Sequence, residues 1–267
     1  MVSGMRITFL GTGTSNGIPV IGCECPVCRS TDPHDRRSRT SAVVSNVSTT
    51  ILIDTSPELR VQALANKLSC VDAVLYTHAH ADHVAGFDDL RSFNQINQAR
   101  LPVYADQPTA SLLQERFGYA FEQPFPFYGG KPDLDLRVFD GPFEVYGLPV
   151  TPIPVTHGRW TIHGFRFGDL VYVTDAKTIP ASSLELMRDA DILVLNALRE
   201  QPHPVHLSLD ETLAVVEEVR PRRAYIVHIS HQMGSHAATN ARLPAHVRLA
   251  HDGLVVEVRE RNRGVAA

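Results

Sequence analysis

Nowhere in this 267-residue chain do apolar residues run long enough to approach the ~20 that a membrane-spanning helix needs. Met1 to Met5 also lack the basic start and apolar run of a secretory signal, so the expectation is a cytoplasmic protein with no membrane partner. Basic excess is missing too: 25 Lys and Arg against 29 Asp and Glu give a formal charge of −4, which argues against a broad nucleic-acid surface. The glycine-rich start, Gly11-Thr12-Gly13-Thr14-Ser15-Asn16-Gly17-Ile18-Pro19, has neither the Gly-Lys-Ser/Thr ending of a phosphate loop nor Gly-x-Gly-x-x-Gly spacing. It is therefore no nucleotide cradle, and its glycines are expected to permit tight turns. Repeats, low-complexity tracts and dividing linkers are absent, and 43% hydrophobic residues suffice for one domain spanning 1–267.

What is present is concentrated. Thr77-His78-Ala79-His80-Ala81-Asp82-His83 packs four metal-ligating side chains into six residues, directly after an apolar run read as a buried strand. His78 and His80 are two apart, so in an extended loop both rings can face one ion, whereas adjacent Asp82 and His83 are expected to diverge from each other, so the run reads as built for two neighbouring metals. Histidine and carboxylate without thiolate suit zinc, manganese or iron, and two ions roughly 3.5–4 Å apart form a hydrolytic pair. Three further runs end in a ligand type directly after a strand, at His157, Asp175 and His228. Asp54 ends another, Ile51-Leu52-Ile53-Asp54, where a carboxylate can orient the ligands from behind.

The four cysteines include Cys23-Glu24-Cys25-Pro26-Val27-Cys28, a spacing typical of a thiolate zinc clamp that needs one more ligand. Cys70, His34 and His231 are candidates, with His231 preferred for lying three residues after His228. Three clustered thiols cannot pair among themselves, which argues against disulfides. Ser208 and Glu211 form a capping box that opens a helix ending near Arg220, so His206 stands just before a helix N-terminus, where it could touch a phosphate or protonate a leaving oxygen. His203, between two prolines, reads as an ordinary loop residue.

The order Asp54, His78-x-His80-x-Asp82-His83, His157, Asp175, His228 resembles the metallo-β-lactamase superfamily over nearly the whole chain. That resemblance implies an α/β fold, an αββα four-layer sandwich with a dinuclear site at one edge. It implies that His78, His80 and His157 hold the first metal and Asp82, His83 and His228 the second. Asp175 would bridge them, and Asp54 would support the ligand loop. With the glycine-rich start and the cysteine run, the chain is most similar to the PhnP-type phosphodiesterases. In that group a Cys-x-Cys-x-x-Cys insertion, here at about 17–40, and the second histidine of His228-Ile229-Ser230-His231 bind structural zinc.

The implied activity is hydrolysis of a small cyclic phosphodiester such as 5-phosphoribosyl 1,2-cyclic phosphate, with two active-site ions, manganese or zinc. Two divalent ions carry four positive charges, and Asp82, Asp175 and a hydroxide remove three, leaving a site suited to an anionic phosphodiester. Asp82 is expected to orient the nucleophile and His206 to protonate the leaving sugar oxygen. Two other readings rest on the same resemblance: a ribonuclease Z-like RNA phosphodiesterase, opposed by the acidic balance, and a non-hydrolytic PqqB-like protein, opposed by the complete second ligand set.

Strands are expected near 6–10, 42–46, 50–54, 72–76, 101–104, 143–155, 162–167, 170–174, 191–195, 224–228 and 254–258. Helices are expected near 57–67, 107–116, 181–188 and 209–220. Residues 117–142, rich in aromatics and proline, read as an irregular flap that packs on the core, lines a cleft or forms a homodimer contact. Arg36-Arg37-Ser38-Arg39 reads as a solvated stretch that could steer anions.

Overall fold

A computed structural model describes residues 4–121 and 130–259. The strands are β1 (Arg6–Gly11), β2 (Ser41–Ser45), β3 (Thr50–Ile53), β4 (Ala73–Leu75), β5 (Leu101–Ala105), β6 (Leu134–Val138), β7 (Phe143–Val145), β8 (Leu148–His157), β9 (Trp160–Phe167), β10 (Leu170–Tyr172), β11 (Ile192–Asn196), β12 (Arg223–Val227), β13 (Val247–Leu249) and β14 (Val255–Glu257). The helices are α1 (Leu59–Ala65), α2 (Ala81–Val84), α3 (Arg91–Asn97), α4 (Gln107–Arg116), α5 (Ala181–Met187), α6 (Leu209–Val219) and α7 (His236–Asn240).

Two seven-stranded mixed sheets form, ordered β14-β1-β2-β3-β4-β5-β6 and β13-β12-β11-β10-β9-β8-β7. Strand alternation decides their stacking, because successive side chains point to opposite faces. In β2 to β4, Ala42, Val44, Ile51, Ile53, Ala73 and Leu75 face the second sheet. The intervening Val43, Leu52 and Val74 face outward onto Leu59, Phe87 and Leu113. On the far side, Val171, Leu193 and Leu195 of the second sheet meet Met187, Val216 and Val219. With both faces of each sheet covered, the strands are continuously apolar, as parallel strands of layered proteins are. The result is the expected α/β sandwich.

The parallel strands β3, β4, β10, β11 and β12 share one direction within their sheets, so their carboxyl ends collect at one edge. The differences from the expected elements are local. The run 143–155 is a hairpin, β7 to β8, turned at Tyr146-Gly147, both at positive φ. Part of the expected flap is regular: Leu134–Val138 pairs with β5 as an edge strand, because main-chain hydrogen bonding outweighs the irregular sequence. Phe117 stacks on Phe87 with ring centroids 4.3 Å apart, so at that position the aromatics pack on the core. The expectation for Phe125, Phe127 and Tyr128 lies outside the described residues. Arg37, expected to be solvated, is buried: its guanidinium donates to Thr12 Oγ1 (2.7 Å) and the Ala250 carbonyl (2.5 Å). Helices α3 and α7 and strand β13 escaped the sequence reading, each being only three to seven residues long.

Candidate metal centre and active site

The candidate ligands, and Asp54 that supports them, stand at or just past the carboxyl ends of strands. Asp54 follows β3, His78 stands three residues past β4, His157 ends β8, Asp175 lies three residues past β10, and His228 follows β12. Three of these, Asp54, Asp175 and His228, have positive φ near +56 to +59° without being glycine. That backbone is costly by about 1 kcal/mol or more per residue and persists only where surroundings enforce it. At Asp175 the enforcement is visible: Asn196 Oδ1 accepts from the Ala176 amide at 2.7 Å, and its Nδ2 donates to the Ala176 carbonyl at 3.0 Å.

The expected divergence of Asp82 and His83 does not occur. Residues 81–84 form α2, one helical turn, in which neighbours differ by about 100° rather than the 180° of a strand. Asp82 Oδ2 lies 3.4 Å from His83 Nε2, and these two residues meet His228 in one group whose ligand atoms lie within 4.8 Å of one another. His78, His80 and His157 form a second such group, and His78, His83 and Asp175 a third. Asp175 spans them: Oδ2 is 3.3 Å from His83 Nε2 and Oδ1 is 3.1 Å from His228 Nε2. Every residue expected at the two-metal site is thus brought to one edge.

The far sides of the rings are held. Asp54, fully buried, accepts from the Thr77 amide (2.8 Å), the Thr77 hydroxyl (2.8 Å) and His83 Nδ1 (2.7 Å). His157 Nδ1 donates to the Val205 carbonyl at 2.8 Å, and His78 Nδ1 meets Thr77 Oγ1 at 2.9 Å. Thr40 contacts His228 on the far nitrogen, Nδ1, while Thr14 meets Nε2 on the inward side, contacts for which the sequence carries no signal beyond two threonines near glycines. With Nδ1 engaged, His78 and His83 present Nε2 inward, and both Nε2 atoms are buried without a hydrogen-bond partner. Orphaned buried nitrogens facing carboxylates are costly in a protein alone and are what a divalent ion would satisfy, so the donor set fits such ions.

Electrostatics agree. Burial depresses the pKa of His78 and His80, with neighbouring histidines adding to the effect, so their rings are neutral and able to ligate. Burial opposes the charge of His83 as well, but Asp82, Asp175 and Asp54 outweigh it and raise its pKa. Burial would raise Asp175, yet His228 and His83 hold it well below the usual carboxylate range. A cluster this rich in mutually compensating charge marks a functional site.

His206 lies on the loop between β11 and α6, pinned by Leu207 N–H to the Ala176 carbonyl (2.9 Å). Its ring centroid is 4.7 Å from that of His157 and 4.9 Å from that of His228, and Nδ1 is buried and unpartnered, 3.7 Å from Asp175 Oδ1. Burial lowers its pKa to about 3. The helix start behind it is not an open anion site. Glu211 Oε2 accepts from Ser208 N at 2.7 Å, and Glu211 Oε1 holds Lys177 at 2.7 Å, so the chain's own carboxylate fills it. His203, read as an ordinary loop residue, packs tilted against His206 with ring centroids 5.2 Å apart, with the charges of Arg199 and Lys177 nearby. Its proline flanks hid this, since only the fold of the loop brings the two rings together.

The cysteine cluster closes on His231. Nδ1 of His231 lies 3.2, 3.4 and 3.5 Å from the sulfurs of Cys23, Cys25 and Cys28. Edges near 3.5 Å match a tetrahedron with Zn–S of about 2.3 Å and Zn–N of about 2.0 Å. Cys25 is lowered to about 6, first by the Cys28 amide, while burial raises Cys28 to about 11. The other candidate fourth ligands are elsewhere: Cys70 faces Asp72 and Asn97, and His34 packs on His236 and His251. Gly11 serves a close approach here, since a Cβ would meet the Arg39 carbonyl at 2.0 Å.

Residues 49–229 match the β-lactamase superfamily domain, about two thirds of the chain, and the protein belongs to that superfamily, with its metallo-β-lactamase fold. Within it the chain is PhnP-like: it superposes with a TM-score of 0.89 and 44% identity on a structure described as a new diphosphatase from the PhnP family, covering 96% of this chain and 98% of that one. A Porphyromonas gingivalis octanoyltransferase is 38% identical over 262 residues, which are 96% of this chain but 52% of that protein. The chain thus spans about half the length of that curated relative, whose activity is said of the longer protein. Zinc-bound PqqB from Methylobacterium extorquens shares the fold, with a TM-score of 0.75 at 20% identity over 94% of this chain and 99% of that one. The fold family implies divalent metal binding.

Proposed function

We propose that the protein is a phosphodiesterase acting on a small cyclic phosphodiester of the 5-phosphoribosyl 1,2-cyclic phosphate kind. The observation that carries this reading is the convergence of His78, His80, His157, Asp82, His83, His228 and the spanning Asp175, with Nε2 of His78 and His83 orphaned toward the centre. In this reading the first three hold one ion and the next three a second, manganese or zinc, while Cys23, Cys25, Cys28 and His231 hold a structural zinc. Bound ions supply hydroxide near neutral pH and polarise phosphoryl oxygens.

The chain's own residues do the rest. Asp54 fixes the ring of His83 through Nδ1, and the Val205 carbonyl fixes His157. Asp82 accepts a hydrogen bond from the attacking water and aims it. His206 stands beside His157, His228 and Asp175, where its ring can hydrogen-bond a phosphoryl or leaving oxygen and assist that oxygen's protonation.

A second reading, hydrolysis of a diphosphate ester, is favoured by the PhnP-family diphosphatase at 44% identity and by the cation Arg199 beside His203, which suits a second phosphoryl group. The deciding experiment loads the protein with manganese, zinc or nickel, measures metal content, and compares turnover of bis(p-nitrophenyl) phosphate, ribosyl cyclic phosphate and a nucleoside diphosphate. About three metals per chain with diester turnover supports the first reading. Turnover of the diphosphate alone supports the second. One tightly held zinc and no turnover refutes both.

A further inference from the structure

Five aromatic rings form a row along the candidate site. Centroid separations are 4.9 Å from Trp160 to His80, 5.0 Å from His80 to His157, 4.7 Å from His157 to His206, and 5.2 Å from His206 to His203. The two ends differ in chemistry. The His203 end has Arg199 near it, and Lys177, which is paired with Glu211. Arg199 is held by neutral partners, the Gln201 and Pro202 carbonyls and Gln232 Oε1, which leave its charge uncompensated by those contacts.

The Trp160 end opens into a cavity of about 410 Å³ whose wall begins at His78 and includes Trp160, Pro108, Leu112, Thr109 and Asp106. Among the described residues no lysine or arginine lines it, and Arg116, one turn past Leu112, donates to the carbonyl of lining Ala79. Its charged lining group among the described residues is Asp106, which caps α4 by accepting from the Thr109 amide at 3.0 Å and lies 3.4 Å from His163 Nδ1. Trp160 is placed by the hairpin: it pairs with His157 across Gly158-Arg159, where the positive φ falls on Gly158. The same turn therefore fixes a candidate ligand and the cavity wall.

A carboxylate on the wall, with the nearby Arg116 already bonded to the Ala79 carbonyl, does not favour a phosphate, while the carboxylate rim and the indole favour a flat or hydroxylated neutral ring. Because His206 lies beyond His80 and His157 from Trp160, a leaving oxygen served by His206 departs away from the cavity. Resting on the phosphoester hydrolysis proposed above, and for a substrate whose leaving and retained groups are separate rather than joined in one cyclic sugar phosphate, we propose that the Trp160 cavity is the subsite for an uncharged ring, a sugar or base bearing hydrogen-bond donors, on the substituent that stays attached to phosphorus.

Trp160 is the chain's single tryptophan, so its emission reports this cavity directly. Manganese-loaded protein is titrated with phenyl phosphate and with methyl phosphate, which carry the same phosphoryl group. Phenyl phosphate should change the emission saturably, and methyl phosphate should not at concentrations that inhibit turnover equally. Equal changes with both would mean that the indole senses only phosphoryl binding, and no change with either would mean that the ring does not enter; each overturns the proposal.

A kinetic arm uses bis(p-nitrophenyl) phosphate and methyl p-nitrophenyl phosphate, which share a leaving group and differ in the group retained. Trp160→Ala should lower the ratio of their kcat/KM values about tenfold through KM, and Trp160→Phe should restore most of it. Equal loss on both substrates would reduce Trp160 to a support for His80 and overturn the proposal. Failure of the wild type on both substrates would instead refute the phosphoester reading, with the fluorescence titration still deciding whether the cavity takes a ring.

Discussion

Replacing Asp54 by Asn changes almost no volume, yet it should cripple the metal edge. Asp54 Oδ1 accepts from the Thr77 amide, while Oδ2 accepts from the Thr77 hydroxyl and from His83 Nδ1 at 2.7 Å. In the asparagine variant one of these oxygens becomes an NH2 group. If the remaining oxygen keeps the Thr77 amide, the NH2 faces His83 Nδ1, and two donors oppose each other. Relief comes when His83 moves its proton to Nε2, the nitrogen 3.4 Å from Asp82 and 3.3 Å from Asp175. A protonated Nε2 cannot ligate an ion. Loss of a partner behind a ligand weakens metal affinity about 10–100-fold, or about 1.4–2.7 kcal/mol. Competitive chelator titration of the edge metals would measure this, with thermal melting as the control for folding. A folded Asp54→Asn protein that binds these metals as tightly as wild type would falsify the tautomer argument.

Removing His206 as the asparagine variant should lower kcat by about 10²–10⁴ while metal content by elemental analysis stays unchanged; loss of metal in step with activity would make His206 a ligand instead. His231→Ala should release one zinc per chain and lower the melting temperature, with the two edge metals retained; unchanged zinc content would refute the Cys3His clamp. Acid stability tests a separate cluster, where burial, then Arg37 and His34, depress His236 from 6.5 to about 4. Between those values the unfolded chain binds more protons, so this contribution is complete above about pH 6.5 and is lost as pH falls toward 4. With solvent screening of a half-buried ring it amounts to on the order of 1 kcal/mol. Melting temperatures from pH 7 to 4 should therefore fall less steeply in His236→Gln than in wild type, and parallel curves would refute the assignment.

The sequence alone determined the strand-then-ligand grammar, because apolar runs such as Ile51-Leu52-Ile53 and Val74-Leu75 fix strands by burial, and the residue after a buried strand is held at a sheet edge. It likewise determined the cysteine run and the capping box at Ser208 and Glu211, whose chemistry is local in sequence. Other features depended on contacts between distant segments. The convergence of Asp82 and His83 required α2, which is too short for periodicity to reveal. Positive φ at Asp54, Asp175 and His228 appears where no glycine announces it, because neighbouring hydrogen bonds impose it. The burial of Arg37 depends on Ala250, 213 residues away, and the closure of the cysteine cluster on His231, 208 residues from Cys23. The Trp160 cavity exists only because a two-residue turn sets the indole opposite His157 and packing brings Asp106 and Leu112 to face it. Local pattern fixes which atoms are available, and the stacking of the two sheets fixes which of them meet.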